Sequence, residues 1–176
     1  SYTKLHDNGL VYTVYNGSLR ETWIKTDQGK QKLVTGGGYA ITTEVDGQIH
    51  MVYNYHFAGN LDARVNLYYM WSPDGIAWFN RHGEALSLPV KENSNLTAIS
   101  FDYHKFNYDG AQFWNDTIIA VKNNKHSYAG GALFQYSLSG DYIGTYRNDG
   151  GANYPVSVKN SNKLMFADSG GLFISE

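Results

Sequence analysis

The chain has 176 residues, of which 42% are hydrophobic, 15% aromatic and 17% charged, with a net charge of −2. So much apolar content excludes disorder, and basic residues this scattered argue against a nucleic-acid partner. Cysteine is absent, which rules out disulfides and thiolate chemistry; no apolar run reaches the length of a helical membrane span, and no leader is read at Ser1.

Taken from the N-terminus, the chain alternates apolar and polar residues with period two and breaks at Gly, Asn, Asp or Ser, which predicts short antiparallel strands. Leu10–Tyr15 is the first, closed by Asn16-Gly17. Leu19–Thr26 follows, with Leu19, Glu21, Trp23 and Lys25 alternating, and turns at Asp27-Gln28-Gly29. Tyr39–Glu44 and Ile49–His56 pair across Asp46-Gly47, a strong two-residue hairpin signal. Val65–Trp71 leads into the turn Ser72-Pro73-Asp74-Gly75, and Ile76–Phe79 is read as the next strand. No stretch keeps a helical period over three turns. The predicted fold class is all-β, and the 15 Tyr and 4 Trp fit it, because flat rings pack well on a pleated surface. At a rim the same rings are stacking surfaces for sugars.

The chain also resembles itself. A turn followed by an apolar strand recurs at Asp7–Tyr15, Glu44–Tyr53, Phe113–Val121 and Val158–Ala167. The strands Leu67–Ser72, Leu133–Ser137 and Leu172–Ser175 are equivalent, and Leu19–Ile24 fills the same slot. Repeats roughly 40 to 70 residues apart match propeller blades of about four strands. The expectation is one β-propeller domain over residues 1–176, with a partial blade at 4–26, blades at 32–90 and 97–147, and a partial blade at 151–176. Closed propellers need at least about four blades. A partial propeller is therefore expected, closed by homo-oligomerisation or by the remainder of a longer chain.

Ser72-Pro73-Asp74-Gly75-Ile76-Ala77-Trp78 resembles the Asp-box of BNR-repeat, sialidase-like propellers. It lacks the residue usual between Asp and Gly, and Ala77 stands in place of the usual Thr. In such a turn the Asp accepts backbone N–H groups, Gly takes a conformation closed to other residues, and Trp packs beneath. The wider run resembles a BNR-4 blade. Its parts are Asp46-Gly47-Gln48-Ile49-His50, then Asn66 to Trp78 with Tyr69, Ser72, Asp74 and Gly75, then Gly83 to Leu86, Leu88 and Pro89. The resemblance implies a carbohydrate-active protein that recognises and, in its enzymatic members, cleaves a polysaccharide as a lyase or glycoside hydrolase. The alternative it implies is a non-catalytic glycan-binding propeller, such as a phage receptor-binding protein or a lectin. Either implies an extracellular, periplasmic or virion-surface setting, a polysaccharide or cell-surface glycan as partner, and no cofactor.

Asp74 itself is structural on this reading, at the outer edge of a blade. Arg81 lies beside it, and with only Arg20, Arg64, Arg81 and Arg147 in the chain, the three-arginine cluster of a true sialidase is disfavoured. The candidate site is instead the polar loop Asn54–Asn66. The resembling lyases move a proton next to a uronate carboxylate with His or Tyr and neutralise that carboxylate with Arg, Asn or His. His56 then serves as base, since imidazole titrates near neutrality, Arg64 as carboxylate clamp, and Tyr55 as acid or stacking surface. A loop histidine that merely bonds backbone is the plainer reading of His56. Asn54, Asp62 and Asn66 are candidate substrate contacts, joined by His104 and Tyr108 in a second polar, aromatic loop and by His126 and Tyr128 in a third. No spacing of His, Asp or Glu is that of a metal site.

Overall fold

The computed structural model describes the backbone of residues 2–5, 11–16, 21–55, 65–91, 95–123, 131–158, 161–168 and 171–175. Among them the fold is all-β. The first antiparallel meander runs β1 (Tyr2–Leu5), β2 (Val11–Asn16), β3 (Thr22–Thr26) and β4 (Gly29–Thr35). The second is β5 (Gly37–Val45), β6 (Gln48–Tyr55) and β7 (Val65–Ser72). The short β8 (Val90–Lys91) returns to pair in parallel with β4, and a 3-10 turn at Asn95–Thr97 precedes β9 (Ala98–Trp114). The third meander joins β9 to β10 (Thr117–Asn123), β11 (Gly131–Ser137) and β12 (Tyr142–Ser157). From Asn153 onward β12 pairs with β13 (Leu164–Asp168), which pairs with β14 (Gly171–Ile174).

Two long strands connect the meanders. Ala98, Ser100 and Lys105 of β9 pair with β7, and from Lys105 to Trp114 the strand pairs with β10. β12 likewise serves β11 first and β13 afterwards.

The residues of β6 and β7 alternate between two cores, as the period-two geometry of a strand requires. Met51, Tyr53 and Tyr55 of β6 and Tyr68 and Met70 of β7 pack with Val14, Ile24, Leu33 and Val34 of the first meander. Their neighbours Val52, Leu67 and Tyr69 turn to the opposite face and pack with Phe113, Ile118, Ala120 and Tyr136 of the third. Ile119 and Leu133 then face Leu164 and Phe166 of β13. The meanders are thus stacked face to face, and strands buried on both faces carry nearly continuous apolar sequence.

Three expectations are corrected in detail. Residues Gly29–Thr35, expected to open a new blade at Lys32, pair with β3 and complete the first meander. Ile76–Phe79 forms no strand: Phe79 alone makes isolated bridges, to Trp71 and Ala85. The segment around His104 and Tyr108 was expected as a loop but lies within β9, where Lys105, Phe106 and Asn107 pair with Asn123, Lys122 and Val121.

Candidate functional site

Strand polarity sorts the turns into two ends. The β5–β6 turn, the Ser72–Trp78 turn after β7 and the β11–β12 turn share one end, because β6 starts where β7 and β11 finish. Asp46 and Gly47 both have positive φ, 51° and 71°, the geometry of the tight hairpin turn that Asp-Gly favours.

The Ser72–Trp78 turn closes on its own side chains. Asp74 Oδ1 accepts the N–H groups of Ile76 at 2.8 Å and Ala77 at 2.9 Å, and the Ser72 hydroxyl donates to it at 3.2 Å. Ser72 Oγ in turn accepts the Gly75 N–H at 2.7 Å. Gly75 has φ 76°, and Trp78 is buried beneath it with Nε1–H directed at the Gly75 carbonyl, 3.4 Å away. Burial pushes the Asp74 pKa up, but the Ile76 and Ala77 N–H groups and the Ser72 hydroxyl outweigh it and hold the carboxyl below its ordinary range. These contacts commit both side-chain donors and acceptors to holding the turn.

A second serine-glycine turn closes β11 to β12. Ser137 Oγ accepts the Asp141 N–H at 3.0 Å, and the Gly140 N–H donates to the Ser137 carbonyl at 2.9 Å. Arg81, beside the 80–84 loop, reaches across to this β11–β12 turn. Its Nη1–H donates to the Gly140 carbonyl at 3.0 Å and lies 3.6 Å from Asp141 Oδ1, while Nε–H donates to His82 Nε2 at 3.2 Å.

Between the β5–β6 and β11–β12 turns lies a cleft of about 250 Å³, lined by Val45, Asp46, Gln48, His50, Tyr69, Trp71, Arg81, Leu138 and Ser139. His50 and Tyr69 are buried, with His50 Nδ1 2.7 Å from the Tyr69 hydroxyl and the two rings stacked at 6.0 Å. Desolvation lowers the His50 pKa despite a hydrogen bond to the Val45 carbonyl, so the imidazole is neutral near pH 7. Desolvation also raises the Tyr69 pKa, which keeps its proton on the phenol. Trp71 is fixed by stacking on Phe79 at 4.9 Å and by donating Nε1–H to the Asn80 carbonyl at 2.9 Å. Asn80 is itself buried and anchors the 80–84 loop through His82 N–H at 2.9 Å and Glu84 N–H at 3.0 Å. The cleft therefore has fixed aromatic walls and a neutral buried floor, with polar groups at its rim. A second cleft, about 390 Å³, lies between the β3–β4 turn and Gly75-Ile76; its lining has neither an aromatic ring nor a buried polar pair.

Among the described residues, none of those singled out from the sequence as site residues lines this cleft. His56, Asp62, Arg64, His126 and Tyr128 lie outside the described residues. His104 and Tyr108 are placed in β9 by their backbone alone. Tyr55 is buried in the first core, its hydroxyl donating to the Lys91 carbonyl at 2.5 Å and its ring edge-on to Tyr68 at 4.7 Å. Asn54 and Asn66 are buried as well, and Asn66, at φ 64°, donates Nδ2–H to the Tyr68 hydroxyl at 3.3 Å. The structure brings together His50 and Tyr69, which the sequence offers only as parts of the blade resemblance, with the strand residue Trp71 and the edge residue Arg81.

Among the described residues, no group of three or more His, Asp or Glu side chains is placed to hold a metal ion. No helix there is long and apolar enough to cross a membrane. In comparisons with known proteins, no family model and no curated protein matches the chain.

Proposed function

We propose that this chain is part of a β-propeller of the Asp-box, BNR-4 type whose role is to recognise a polysaccharide or cell-surface glycan. The observation that carries the reading is the Ser72–Trp78 turn. Its Asp, Gly and Trp make the hydrogen bonds and packing that the Asp-box resemblance requires, and it closes one of several antiparallel units of three or four strands that pack face to face. The cleft beside it supports the ligand class, because aromatic faces next to amide, carboxylate and hydroxyl groups suit a sugar ring.

Recognition without cleavage is favoured over a lyase or hydrolase. A catalytic tyrosine must reach substrate, whereas the Tyr55 hydroxyl is buried and bonded to a backbone carbonyl. The ring closes through a second copy or through further chain. Consistent with this, β14 is an edge strand exposed at all its residues, Leu172 and Ile174 included.

The test is a panel of neutral and uronate-containing polysaccharides, read both by binding and by ultraviolet absorbance of an unsaturated product. Binding with no absorbance change is the expected result. Failure to bind any glycan overturns the reading, and product formation replaces recognition with lyase activity.

A further inference from the structure

We infer that the cleft between the β5–β6 and β11–β12 turns is a subsite for a single uncharged hexose ring. This rests on the glycan-recognition reading and narrows it to one place and one ligand class. Size comes first. At about 250 Å³ the cleft is below the roughly 300–1,000 Å³ of pockets for drug-sized ligands, so it takes one ring and not two.

The walls decide the chemistry. Trp71, half-buried and with its indole N–H committed to the Asn80 carbonyl, gives the apolar face, while Tyr69 and His50 lie buried behind it with their polar atoms committed to each other. At the rim, the Asp46 carboxylate and the Gln48 amide line the cleft without a side-chain hydrogen bond to another described residue, and Asp46 acts on His50 through its charge. A carboxylate and an amide beside an aromatic wall match a ligand with hydroxyls on its edge and C–H groups on its face.

Charge excludes the acidic sugars. A uronate is held best by a guanidinium that presents paired N–H donors. Arg81 instead donates through Nη1 to the Gly140 carbonyl and through Nε to His82, and Asp141 lies 3.6 Å from it. With Arg81 offset by Asp141 and His50 neutral, Asp46 leaves the rim negative, which repels an anion.

The experiment titrates the protein with the methyl glycosides of glucose, galactose and mannose, and of glucuronic acid as the charged counterpart, by calorimetry at millimolar ligand. Two variants are compared, Asp46→Asn and Gln48→Ala. Asn tolerates the positive φ of position 46, so the turn is kept. At least one neutral glycoside binds, more tightly than the glucuronide, and Asp46→Asn weakens it about tenfold, the loss expected for a hydrogen bond to a charged group. Gln48→Ala weakens it severalfold. Tighter binding of the glucuronide overturns the assignment, as does neutral binding that neither variant changes. If none of the glycosides binds while polysaccharides on the panel do, the subsite is wrong and the wider reading stands. If polysaccharides fail too, both fall.

Discussion

The two ends of the β6–β7 pair hold the same residue types in opposite circumstances. Towards the end of β6, Tyr53, Tyr55 and Tyr68 close on one another, with ring centroids 4.7 to 5.8 Å apart. Their hydroxyls are taken up inside the protein, Tyr53 by Thr97 Oγ1 at 2.8 Å and Tyr55 by the Lys91 carbonyl. At the turn end, His50, Tyr69 and Trp71 are held just as firmly, yet they line an open cleft. Composition does not separate the two. The difference lies in what arrives from the next element: β8 and the turn before β9 cap the first cluster, whereas the β11–β12 turn approaches the second and stops short, pinned by Arg81.

Replacing one aromatic at the closed end should have the largest effect. Tyr53→Ala removes a fully buried ring and the partner of Thr97, and unfolding in urea should show a loss of roughly 3–5 kcal/mol. A loss below about 1 kcal/mol would mean that this end is not a packed core.

The approach of the β11–β12 turn is tested next by Gly140→Ala. A Cβ there would lie 2.1 Å from Ile99 Cγ2, at a φ of +86°. The overlap should cost roughly 1–3 kcal/mol and the backbone conformation about 1 more. Gly83→Ala sharpens the comparison, because φ is +80° with nothing within 4 Å; only the backbone cost should appear.

Asp74→Ala should cost roughly 1–3 kcal/mol through its lost charge-assisted bonds to Ile76 and Ala77, measured by the same unfolding curve. Glycan binding should be unchanged, since the carboxylate faces its own turn.

The smallest effect concerns pH. The His50 pKa is lowered from 6.5 in the folded protein, so the unfolded chain takes up the proton first. The stability that neutral His50 contributes is therefore complete above pH 6.5 and is lost as the pH falls from there towards its folded value. Thermal melts between pH 7.5 and 5 should show this fall, and His50→Gln should flatten it.

Much of the fold was legible because alternation and turn chemistry are local. Asp46-Gly47 and Ser72-Pro73-Asp74-Gly75 signal their turns through local chemistry alone. Ile76–Phe79 misled because its apolar character suggests a strand, whereas Asp74 takes the Ile76 and Ala77 N–H groups that a ladder would need. The segment around His104 read as a loop because polar residues interrupt it, yet its backbone pairs with β10 regardless of side-chain polarity. Lys32 looked like the start of a unit because the pairing of β4 with β3 depends on register, which composition does not carry.

The site was less legible for the same reason. His50 and Tyr69 meet only because β6 and β7 pair with His50 opposite Trp71 and Val52 opposite Tyr69. The third wall comes from Leu138 and Ser139, far along the chain. A reading that looks for polar loops finds Asn54–Asn66 and passes over a cleft built from strand residues and hairpin turns.

The central claim is that glycan is held at the turn end of these strands. It is tested most directly by nuclear magnetic resonance of the indole N–H groups while a bound glycan from the panel is titrated in. The account predicts that the Trp71 signal shifts in proportion to occupancy, and that buried Trp78 and the Asn54 side-chain amide stay still. A shift at Asn54 with Trp71 unmoved would place the ligand at the other end and contradict it.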